Sequence, residues 1–180
     1  MSDLILKKAS GVHWDQDLKV LFKTETGLGN GLALLLHPVR RGVHRWKFQA
    51  VAGKKGTIGI CALDVSMETY VNQTSKGWGY YQATGKIGTC GPAKTVYGKN
   101  YKTPDDIVEM EFNADLGTLS FWNNGEPMGV AFDDIPVDGH QYFCAAASLF
   151  KAGDALRILS SPVSSAPSAD KSNKSNVVPA

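Results

Sequence analysis

The stretch Gly117-Thr118-Leu119-Ser120-Phe121-Trp122-Asn123-Asn124-Gly125-Glu126-Pro127-Met128-Gly129-Val130-Ala131-Phe132 reads as two strands joined by a tight turn. Leu119 and Phe121 recur at a period of two, and Val130 and Phe132 repeat the spacing, as half-buried strands do. Asn124-Gly125 between them accepts the positive φ values of a type I′ turn or an adjacent bulge.

The same pattern spreads outward from this hairpin. Trp46, Phe48 and Ala50 alternate with Arg45, Lys47 and Gln49, and Val108, Met110 and Phe112 alternate with Glu109, Glu111 and Asn113. Leu18, Val20 and Phe22, then Ile58 and Ile60, then Leu156 and Ile158 extend it. No segment sustains a helical period. Turn signals separate the runs: Gly53 to Gly56, Gly85, Gly88, Gly91-Pro92, Thr103-Pro104-Asp105, Asp115 to Gly117 and Asp138-Gly139. About a dozen short strands with such turns predict an all-β chain folded as two antiparallel sheets packed into a β-sandwich.

The chain has 180 residues, 43% apolar and 20% charged, enough for one sizeable core. Composition shifts after Leu159 into a Ser-, Pro- and Lys-rich stretch that cannot build a core. We therefore expect a sandwich domain over residues 1–159, with early strands in 1–41 and the patterned body in 42–159, and a disordered tail over 160–180. For that tail a phosphorylatable linker or docking segment is the alternative. No apolar run approaches the roughly 20 residues of a membrane-spanning helix. Lys7 and Lys8 interrupt the amino-terminal apolar residues too early for a secretory signal, so a cytoplasmic or nuclear location is expected.

Several chemistries are read and set aside. Gly27-Leu28-Gly29-Asn30-Gly31 resembles a dinucleotide fingerprint, yet Leu32 stands at its sixth position and an apolar run stopped by Pro38 follows in place of a helix. Gly53-Lys54-Lys55-Gly56-Thr57 lacks the Gly-Lys-Ser/Thr ending of a phosphate loop and suits a hairpin. Glu109 and Glu111 share a strand face in the manner of a glycosidase pair, but that face opposes the apolar one and leaves them in solvent. Cys61, Cys90 and Cys144 are too few and too scattered for a disulfide framework or zinc site. The four histidines have no partner at metal-ligand spacing, and no nucleophile stands beside a base. No metal and no cofactor is expected. A net charge of +2 with interspersed signs does not advertise a nucleic-acid partner, although Tyr80-Tyr81 beside basic pairs would suit base stacking.

Taken together, Gly42-Val43-His44-Arg45-Trp46-Lys47-Phe48, Gly59-Ile60, Gly77-Trp78-Gly79-Tyr80-Tyr81, and the Gly117 to Phe132 block resemble the SPRY domain family in order and spacing. The resemblance covers about Gly42 to Ile158. It departs at Pro104-Asp105-Asp106, where the family usually has Gly-Asp, and at Phe112-Asn113, where it has Leu-Asp. It implies a bent sandwich of two antiparallel sheets, concanavalin A-like and jelly-roll-like, with Trp46, Trp78, Phe121 and Phe132 in its core. It also implies a non-catalytic adaptor whose loops on one edge bind a protein or short linear peptide, acting as a monomer without nucleic acid or membrane.

Carried onto this chain, the family's contact loops nominate Thr26, Gly27, Lys55, Thr57, Tyr70, Tyr81, Phe150 and Lys151 as partner-binding residues. Tyr70 and Phe150 are the preferred anchors, because exposed aromatics bury much area for few frozen torsions. Phe150 equally suits closure of the sandwich edge, and Tyr81 equally suits the core. The competing class is a carbohydrate-binding or glycan-acting sandwich, since fold does not fix function.

Overall fold

The computed structural model describes residues 4–25, 31–101 and 104–165, with backbone alone for 161–165. The expected site residues Thr26 and Gly27 lie outside the described residues, as do 166–180 of the expected tail.

Strands β1 (Ile5–Lys8), β4 (Leu32–Leu35), β13 (Phe143–Ser148), β6 (Thr57–Ala62), β7 (Gly77–Tyr81), β8 (Lys86–Gly88) and β9 (Thr95–Val96) lie side by side in that order in one sheet. The second sheet runs β12 (Glu126–Phe132), β11 (Thr118–Asn123), β10 (Ile107–Asn113), β5 (Val43–Ala52), β14 (Ala155–Ser165), β3 (Val20–Lys23) and β2 (Val12–Asp15). Every ladder is antiparallel. This is the two-sheet β-sandwich that the alternation predicts.

The main core fills the space between the sheets. Trp46, Phe48, Val108, Met110, Phe112, Leu119 and Phe121 enter it from the second sheet, and Ile58, Ile60, Tyr80 and Phe143 meet them from the first. Burying each such side chain contributes roughly 1.5–3 kcal/mol, so this layer dominates the stability of the fold. Trp78 joins the same core and Phe132 packs against its margin. The hairpin at Asn124-Gly125 has φ of 51° and 81°, as a type I′ turn requires.

Two strands depart from the expected alternation. Leu18 is 59% exposed because the Asp15 carboxylate caps the Leu18 N–H in a turn and Lys19 takes a left-handed φ of 55°. The register therefore resets, and in β3 Leu21 and Lys23 are buried while Phe22 is only partly so. In β12, Gly129 at φ 84° falls within one of two register shifts, and Val130, between the two, turns out to 58% exposure on the sheet edge.

The last strand also runs past the expected end of the body at Leu159. β14 continues through Ser165, where its backbone pairs with Arg45, His44 and Val43. A register shift between Ser160 and Val163 takes up Pro162, which has no N–H to give to the ladder. A serine-rich composition thus does not exclude strand pairing when a neighbouring strand offers free backbone groups.

The first sheet is covered on its outer side as well. The connection from β6 to β7, residues 63–76, crosses that face and includes a 3-10 turn at Val71–Gln73. Val65 and Val71 pack there against Leu32, Leu34, Cys61, Cys144 and Ala146 in a second, smaller core. Cys61 and Cys144 face each other across β6 and β13, and burial pushes both thiols up, the latter to about 11. Cys90 is exposed. No helix among the described residues is long and apolar enough to cross a membrane.

Candidate protein-binding cleft

Glycines decide where the 63–76 connection sits. In β7 the odd residues Gly77 and Gly79 face outward while Trp78 and Tyr80 point into the core. A Cβ on Gly79 would lie 2.6 Å from Thr57 Cγ2 and 3.0 Å from Val71 Cγ1, and one on Gly77 would strike the Val71 carbonyl oxygen. Only glycine at these two places lets the 3-10 turn rest on the sheet. Ser148 at the end of β13 fixes it further, its hydroxyl oxygen accepting the Val71 N–H at 3.3 Å.

The next outward residue along β7 is Tyr81, and its register partner on β6 is Thr57. Here the covering connection has ended, and the sheet face opens into a cleft of about 280 Å³. Lys55, Thr57, Tyr70, Tyr81 and Phe150 all line it. The period-two backbone resolves the choice at the tyrosine pair. Tyr80 is fully buried, packed against Tyr97, Tyr101 and Phe121, and donates its hydroxyl to the Lys99 carbonyl, so it presents no face for stacking. Tyr81 is only partly buried, and desolvation raises its phenol above the ordinary range, leaving a neutral O–H donor at the cleft.

Tyr70 is not the exposed anchor that its position suggests. It is 7% exposed, with its ring over the Gly31 backbone and 5.6 Å from the Phe150 ring. It forms a wall. Phe150, half-buried, stands at the edge and carries the Lys55 ammonium 5.7 Å above its ring. Lys151 is exposed on the adjoining loop and does not line the cleft.

Asn72, Gln73, Thr84, Lys86, Pro92 and Ala93 complete the lining and were not among the site residues expected from the sequence. Asn72 ties two walls together: its side-chain amide donates to the Gly91 carbonyl at 3.0 Å, and its own carbonyl accepts the Gly91 N–H at 2.9 Å. The only sequence signal there, an Asn-x-Thr triplet, points to glycosylation and not to this brace.

The device that fixes the cleft lies behind it. Asp154, 2% exposed, accepts the N–H groups of Lys54 and Lys55 on one carboxylate oxygen at 3.2 and 3.4 Å. Its other oxygen accepts those of Phe150 and Lys151 at 3.1 and 2.7 Å. One buried carboxylate therefore joins the β5–β6 hairpin to the β13–β14 loop. Gln82 holds the same hairpin from the other side, accepting the Gly56 N–H at 2.9 Å and donating to the Gly53 carbonyl at 3.3 Å. The Tyr101 hydroxyl adds a bond to the Gly56 carbonyl at 3.0 Å.

The architecture accords with comparison to known proteins. The family model of the SPRY domain matches residues 43–160. The chain belongs to the SPRY domain family. Its fold is similar to the SPRY domain of human HERC1, with a TM-score of 0.70 at 22% identity over 84% of this chain and 93% of that one. A human SPRY domain aligns at 0.67 and 13% identity over 84% and 96%, and the PSpry domain of TRIM65 at 0.67 and 13% over 86% and 89%. No curated protein matches in sequence. SPRY domains are generally non-catalytic modules that mediate protein–protein interactions.

Proposed function

We propose that this SPRY domain is a non-catalytic adaptor that captures a short segment of a partner protein in the cleft beside Tyr81. The observation that carries the reading is convergence: residues from the β5–β6 hairpin, the 3-10 turn, β7 and the β13–β14 loop meet around one concavity whose loops are pinned by Asp154 and Gln82. Loops held in place before binding lose little freedom when a ligand arrives, and the ordering cost of association falls. The aromatic wall of Tyr70 and Phe150 supplies apolar area, and Thr57, Gln73, Tyr81 and Thr84 supply groups that orient a peptide backbone.

The sequence readings of a monomer in the cytoplasm or nucleus, acting without nucleic acid or membrane, complete this proposal. The glycan-binding alternative draws no support from the family match.

Affinity capture from cell lysate tests it, with wild type beside Phe150→Ala. Phe150 is half-buried at the edge, so the variant is expected to melt within a few degrees of wild type. A defined protein retained by wild type and depleted at least tenfold by folded Phe150→Ala supports the cleft. Unchanged capture by the variant moves the interaction to another surface.

A further inference from the structure

The cleft is lined by charge of one sign. Four cations elsewhere are matched by carboxylates: Arg45 with Glu111, Lys47 with Glu109 at 3.0 Å, Lys76 with Asp64, and Lys99 with Glu126. Both charged residues lining the cleft are cationic, Lys55 and Lys86, and among the described residues neither has a carboxylate partner. Lys54 and Lys151 stand exposed on the two pinned loops and add to the same sign.

Among the described residues no carboxylate lines the cleft. Asp154 lies behind the loops with both oxygens occupied by four backbone N–H groups, and Glu68, exposed two residues before Tyr70, is not part of the lining. Lys55 is further held in position by the Phe150 ring beneath its ammonium. Its charge is presented at a fixed place, with the Tyr81 hydroxyl as a neutral donor in the same concavity.

We propose that the cleft selects an acidic segment: a partner peptide that brings an aspartate or glutamate carboxylate to Lys55 and Lys86 and lays a small apolar side chain on the Tyr70–Phe150 wall. The inference rests on the adaptor reading above and gives it a ligand chemistry. A concave site lined by one sign of charge focuses the field and discriminates by sign more strongly than an open surface. A volume near 280 Å³ is at the small end of ligand pockets, which limits the occupant to a few side chains of an extended chain.

The test is selection of a displayed library of random nine-residue peptides on the full chain, followed by fluorescence titration of the enriched peptides. Wild type is expected to enrich Asp or Glu beside a small apolar residue. Lys55→Gln with Lys86→Gln should weaken those peptides at least tenfold, and Lys55→Glu with Lys86→Glu should shift the enriched set toward Lys and Arg. Peptides that depend on Phe150 but show no acidic preference overturn this inference and leave the adaptor reading intact. Absence of any Phe150-dependent peptide overturns both. Equal competition by polyphosphate and by a scrambled acidic peptide reduces the effect to unspecific charge and also overturns it.

Discussion

The outer faces of the two sheets are built on opposite principles. That of the second sheet meets solvent: β10 alternates strictly and β5 does so from Arg45 to Val51, and Arg45, Lys47, Glu109 and Glu111 pair across the strands. That of the first sheet is buried under the 63–76 connection, so β6 and β13 are buried at every residue. The difference explains where a binding site can arise. A uniformly solvated face offers no concavity, whereas a face covered for part of its area has a step where the cover stops, and Thr57 and Tyr81 stand at that step.

If the step is maintained by the buried carboxylate behind it, removing that carboxylate should have the largest effect in the molecule outside the main core. Asp154→Ala strands four backbone N–H groups, and bonds to a charged acceptor contribute about 1.5–3 kcal/mol each. Two of the four are long, at 3.2 and 3.4 Å, so we expect a loss of about 4 kcal/mol in urea unfolding together with loss of partner capture. Asp154→Asn, which keeps one acceptor oxygen, should fall about halfway. A variant that unfolds at the wild-type denaturant concentration would show that the loops are held by something else.

The cover itself is the next point of attack. Gly79→Ala places a methyl against Thr57 and Val71, and overpacking of this kind costs about 1–3 kcal/mol. The matching change on the solvated face, Ser120→Ala in β11, should stay within about 0.5 kcal/mol. Hydrogen exchange should also report faster opening of the Val71 amide in Gly79→Ala. Equal thermal shifts for the two variants would contradict the contrast between the faces.

How far the sequence revealed these features follows the same division. Alternation in β5, β10 and β11 was readable because one side of each strand meets water and the other the core, so residue type reports direction. On the doubly covered sheet that code fails. Gly77 and Gly79 have no side chain to report a direction, and only the approach of Val71 shows that they clear space for a crossing segment. Leu18 and Val130 were misplaced because a capped turn and an edge bulge each reset the count. At the site, family resemblance pointed to Lys55, Thr57, Tyr81 and Phe150 and also to Tyr70, whose burial it did not foresee. Asp154 was invisible: the amides it accepts from Lys54 and Lys55 lie 100 and 99 residues away, and no local pattern encodes such a pairing.

The smallest expected effect sharpens the comparison most. Lys47 and Glu109 form a 3.0 Å ion pair on the solvated face with side chains 48% and 23% exposed. Exposed pairs of this kind couple by about 0.2–1 kcal/mol, because water screens the attraction and two long side chains must be ordered. A double-mutant cycle on Lys47→Met and Glu109→Gln should give about 0.5 kcal/mol, shrinking further in 1 M salt and leaving partner capture unchanged. Both faces carry charge, but the cleft is lined by cations that have no carboxylate partner among the described residues. A cycle value above 2 kcal/mol, or a change in capture, would mean that the polar face is coupled to the site and that the two faces do not divide structure from recognition.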